Sequence, residues 1–109
     1  GLALVDLGGL TLQELVAKIS YLPAQMLGLT NKGSLAAGWD ADITIVDRLR
    51  RSAFATIIGG QVCYIDGKIL GRGGRIITTA AGADYVRSQG LEPLIVDLAD
   101  SSVLRKARK

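Results

Sequence analysis

Apolar positions follow a helical period early in the chain and a strand period further on. Leu12, Leu15, Val16 and Ile19 recur at i, i+3, i+4 and i+7, which predicts a helix with one apolar stripe turned to a core. Thr11-Leu12-Gln13-Glu14 opens it as a capping box: the Thr hydroxyl accepts the Glu14 amide while the Glu14 carboxylate reaches back. Pro23 interrupts the pattern and fits the first position of a second short helix, and Gly28 fits its left-handed end. Residues 1–10 are apolar and broken by glycines, and read as an entry segment.

Beyond Lys32 the period shortens. Gly33 and Gly38 punctuate a loop, and Ile43-Thr44-Ile45-Val46 reads as a strand closed by Asp47. The charged stretch Arg48–Arg51 leads to a second strand, Phe54–Ile58. Gly59-Gly60 turns the chain into Val62–Ile65, and Asp66-Gly67 marks a tight hairpin into Lys68-Ile69-Leu70. After the break Gly71–Gly74, residues 75–79 predict a short strand, 83–89 a short helix stopped by Gly90, and 94–96 a last strand. Asp100 or Ser101 fits the cap of a terminal helix. The class expected is α+β: an N-terminal helical segment over residues 1–30, a small antiparallel β-sandwich over 31–79, and a short α/β extension with a basic tail over 80–109.

Composition narrows the chemistry. At 109 residues with 49% hydrophobic positions, the chain suits one modest core and is not disordered. No apolar run reaches the ~18–20 residues of a membrane span, so no transmembrane helix is expected, and the location expected is cytoplasmic. Histidine is absent, which excludes imidazole metal ligands, His bases and Ser-His-Asp triads within the chain. Cys63 is the one cysteine, so there is no thiolate cage, and its apolar strand suits a buried, inert thiol. The chain starts at Gly1 rather than Met, as a processed chain or a piece of a longer one would. The net charge of +3 suggests a nucleic-acid partner until it is located: Arg105, Lys106, Arg108 and Lys109 crowd the last five positions, leaving nine basic residues against ten acidic elsewhere. No aromatic residue lies among them to stack on bases, so the tail reads as a solvated helix end.

Other candidates have plain explanations. Asp40 and Asp42 lie on one side of a strand start, with Asp47 beyond, and paired carboxylates can hold a cation or share a proton. No further ligands follow in a calcium-loop pattern, so hydrogen bonding to loop amides is the expected role. Gly71-Arg72-Gly73-Gly74-Arg75 offers amides and guanidinium groups to a phosphate but lacks the Gly-Lys-Ser/Thr ending of a P-loop, and reads as a turn. Thr78, Thr79, Ser101 and Ser102 have no activating base and read as caps or solvent contacts. Trp39 reads as the cover of a core edge rather than a stacking surface.

One series of motifs is specific in its order and spacing. Leu22-Pro23-Ala24-Gln25-Met26-Leu27-Gly28-Leu29 is followed by Lys32-Gly33-Ser34-Leu35, then Gly38-Trp39-Asp40-Ala41-Asp42-Ile43-Thr44-Ile45-Val46-Asp47, then Ile57-Ile58-Gly59-Gly60-Gln61-Val62-Cys63-Tyr64-Ile65-Asp66-Gly67-Lys68. Over residues 10–71 this resembles the C-terminal end of metal-dependent amidohydrolases, nearest the dihydroorotase, allantoinase and hydantoinase branch. Leu22 stands where that family has Asn, which removes a cap. The resemblance implies the last helix or helices of a (β/α)₈ barrel and most of a β-sandwich that N-terminal strands complete. It implies a parent enzyme that hydrolyses C–N bonds, often in cyclic amides, with a metal-activated water and zinc as the expected metal. The family's ligands are a His-x-His, a bridging carboxylated Lys or Glu, two further His and an Asp on the barrel strands. None has a counterpart here, and Asp6 is misplaced for the last of them. No catalytic, cofactor or metal residue is therefore assigned, and the chain alone is expected to be inactive and structural. Its expected partners are the missing barrel and N-terminal strands or, in isolation, further copies of itself in a homo-oligomer. The alternative is a stand-alone scaffold whose basic tail engages nucleic acid or an acidic partner.

Overall fold

The computed structural model describes residues 1–107, with the side chains of residues 1–104. Arg108, Lys109 and the side chains of Arg105 and Lys106 lie outside the described residues, and with them the basic-tail reading. The chain forms two compact units, one from residues 1–23 and 31–73, the other from residues 24–30 and the chain from Gly74 onward.

In the first unit, the entry segment contains a short helix, α1 (Leu2–Asp6). Helix α2 (Leu12–Val16) starts at the predicted capping box: Thr11 Oγ1 accepts the Glu14 amide at 3.1 Å and Glu14 Oε2 accepts the Thr11 amide at 3.3 Å. The helical run does not stop at Pro23, as the sequence suggested. It widens into a π-turn at Ala17–Tyr21 and continues as α3 (Leu22–Met26), with Pro23 inside it. Proline has no amide to give and its ring crowds the carbonyl four residues back. A wide turn immediately before it is one way a helix absorbs such a residue. The apolar stripe is the larger surprise. Leu15 is buried, but Leu12, Val16 and Ile19 are not, and Ile19 is 67% exposed.

The strands form a four-stranded antiparallel sheet in the order β1 (Ile43–Asp47), β2 (Ser52–Ile58), β3 (Gln61–Ile65), β4 (Lys68–Ile69). Each strand pairs with its sequence neighbour, and bulges interrupt the register at Ile45/Val46 and at Thr56/Ile57. Asp66 and Gly67 both have positive φ (44° and 83°), the geometry whose twist suits a two-residue hairpin and which Asp-Gly tolerates. Ala55 and Cys63 are the buried residues of the sheet, whereas Ile45, Val46, Phe54 and Val62 are each more than 40% exposed. Gly73 lies against Ile58 and Cys63, where a Cβ would come within 3.0 Å of the Ile58 side chain.

In the second unit, Gly28 closes the helical run. Its amide donates to Gln25 O, and that of Leu29 to Ala24 O, the paired bonds of a Schellman end. Its φ of +76° is one reason for glycine. The other is space, because a Cβ would sit 2.8 Å from Asp97 O and 3.0 Å from Asp100 Cβ. Further on, β5 (Ile76–Thr78) and β6 (Pro93–Ile95) pair in parallel, with a 3₁₀ turn (Ala80–Gly82) and helix α4 (Ala83–Ser88) between them. A second 3₁₀ turn (Leu98–Asp100), with Asp97 Oδ1 accepting the Ala99 amide, leads to α5 (Ser102–Ala107). The buried residues here are small or mid-sized: Ala24, Ala83, Val86, Pro93, Val96 and Ser101. The molecule is thus α+β, with one antiparallel sheet and one parallel strand pair.

Candidate functional site

The two aspartates singled out from the sequence do share a side, and what they face is a lysine. The loop from Asn31 closes on itself through backbone bonds, with the Asp40 amide donating to Asn31 O at 3.0 Å. That closure brings Lys32 Nζ to 2.8 Å from Asp40 Oδ2 and into a hydrogen bond with Asp42 Oδ2. The remaining carboxylate oxygens are also engaged. Asn31 Nδ2 donates to Asp40 Oδ1 at 3.0 Å, and the Gly59 amide donates to Asp42 Oδ1 at 2.9 Å. The Gly60 amide adds a bond to Ala41 O at 3.0 Å. Lys32 therefore ties the Asn31 loop to the start of β1, and Asp42 and Ala41 tie that start to the β2–β3 turn.

The electrostatics agree with the geometry. The Lys32 side chain is only 19% exposed. Desolvation is the largest single influence on its ammonium and pulls the pKa down, but hydrogen bonds and charge from Asp40 and Asp42 together outweigh it and hold the pKa above the ordinary value. The expected role for these carboxylates, bonding to loop amides, is present in the Gly59 contact. Lys32 itself was not foreseen as their partner, although it opens the Lys32-Gly33-Ser34 motif that the resemblance had picked out. Both carboxylates are thus engaged by the Lys32 ammonium and by amide donors.

The other candidates are dispersed. Asp47 Oδ1 accepts the Leu49 and Arg50 amides at 3.0 and 3.1 Å, an Asx turn at the end of β1. Asp6 Oδ2 is 2.7 Å from an Arg51 guanidinium nitrogen, and its other oxygen is 4.0 Å from Arg48. Gly71–Arg75 is irregular, with the Gly71 amide donating to Cys63 O at 3.3 Å and Gly73 lying against Ile58. Thr78 Oγ1 donates to Thr79 O, Ser101 is buried, and Trp39 is half-buried. Cys63 is buried with its thiol 3.5 Å from Gln61 O. Among the described residues, no three His, Cys, Asp or Glu side chains gather where they could hold a metal ion. With no histidine in the chain and Asp40 and Asp42 committed to Lys32, this donor set does not fit the zinc that the resemblance implies for the parent. No helix of the described residues is long and apolar enough to cross a membrane.

Comparison with known proteins settles the family. The model of the amidohydrolase family matches residues 2–76, which contain the whole Lys32 clamp and the four-stranded sheet. The chain belongs to the amidohydrolase family. A dihydroorotase from Pelobacter propionicus is 34% identical over 87 aligned residues, covering 58% of this chain and 20% of the relative. A dihydroorotase from Methanothermobacter thermautotrophicus is 30% identical over 100 aligned residues, covering 70% of this chain and 23% of the relative. An N-acetylglucosamine-6-phosphate deacetylase from Lysinibacillus sphaericus is 62% identical over 37 residues, covering 34% of this chain and 10% of the relative. This amidohydrolase chain thus spans between about a tenth and a quarter of the length of these relatives. No solved structure matches it.

Proposed function

We propose that this chain is the sheet-and-helix portion of a longer, dihydroorotase-like amidohydrolase, and that its role there is structural. The parent hydrolyses a C–N bond of a cyclic amide with a zinc-activated water, on residues that lie outside this chain. Alone, the chain neither binds zinc nor turns over substrate. The observation that carries this reading is the apolar stripe Leu12, Val16 and Ile19 beside buried Leu15, which a helix on its own gains nothing by displaying. The partial coverage of the relatives points the same way.

The surfaces left open are where we place the partners. Among the described residues strand β1 is the outer strand of its sheet, and α1, α2 and β1 border an apolar cleft of about 710 Å³. In the longer protein, strands from the N-terminal side extend the sheet into a sandwich and the barrel covers the helix stripe. In isolation, a second copy covers them, because exposed strand edges and apolar faces associate. The protein works in the cytoplasm.

The deciding experiment is an immunoblot of source cells with an antibody to this chain. A band large enough to add the ~250 residues of a barrel supports the proposal. A band near 11.5 kDa overturns it. Stoichiometric zinc in the purified chain, or hydrolysis of dihydroorotate or hydantoin by it, does the same. Light scattering at micromolar concentrations should give a dimer or larger species, and a monomer throughout would remove the association.

A further inference from the structure

No further inference is drawn: the strongest candidate, the apolar cleft between α1, α2 and β1 that Arg48 and Arg51 help to line, belongs to the surface already assigned to the rest of a longer protein, and nothing in the structure shows what covers it.

Discussion

Lys32 and Asp40 stand at the two ends of one loop and meet at 2.8 Å, so that the loop is shut by an ion pair as well as by its backbone. The same ammonium reaches Asp42, at the threshold of β1. Removing it takes one ammonium away from both carboxylates at once.

Lys32→Met should therefore destabilise the chain by about 1 kcal/mol, as the loss of charge-assisted hydrogen bonds at a half-buried, partly solvated site does. Asp40→Asn alone should cost less, because Asp42 still engages the ammonium. A double-mutant cycle by urea unfolding should give a Lys32–Asp40 coupling of about 1 kcal/mol. A coupling of zero means that the pair is incidental.

The clamp also has a pH signature. Lys32 has a pKa raised in the folded state, so its contribution is fully present below its ordinary value of 10.5 and disappears as pH rises through the folded value. The stability difference between the wild-type chain and Lys32→Gln should be constant from neutral pH to about pH 10 and shrink above it. A difference that grows with alkali reverses the sign and refutes the assignment.

Gly28 and Gly8 have nearly the same φ, +76° and +77°, but Gly8 has open space where its Cβ would be. Gly8→Ala should cost only the left-handed backbone, about 1–2 kcal/mol. Gly28→Ala adds a Cβ placed 2.8 Å from Asp97 O and should cost clearly more. Thermal unfolding of the two variants separates conformational strain from steric conflict, and equal shifts would show that the Asp97 contact relaxes freely.

Ile19 tests the proposed role. In the isolated chain, Ile19→Gln changes an exposed position and should move stability by less than about 0.5 kcal/mol. In the longer protein the same change should cost about 1.5–3 kcal/mol, the worth of a buried aliphatic side chain. Equal, small effects in both contexts would mean that nothing covers the stripe.

Much of the fold was legible because it is local. The capping box, the Gly28 end and the Asp66-Gly67 hairpin each depend on residues a few positions apart, and each is present. What the sequence misled on depends on distant neighbours. The period of Leu12, Leu15, Val16 and Ile19 announces an apolar face but not whether anything covers it. Pro23 read as a boundary because the π-turn that accommodates it leaves no signature in residue type. The parallel pairing of β5 and β6 needs a connection that strand propensity does not encode. For the candidate site, Asp40 and Asp42 could be found from spacing, while Lys32 needed the closed loop to become their partner.

The sheet is a meander in which every strand is hydrogen-bonded to the one before it in the chain, and this has a consequence for how the molecule is made. Zipping up such a ladder closes only short loops, so its entropic barrier is low and its assembly fast. The parallel pair must wait for an intervening helix to bring its second strand home. During refolding, amide protons within Ser52–Ile65 should become protected from exchange before that of Val96, which donates to Thr78 O across the parallel pair and whose order has to travel around α4 first.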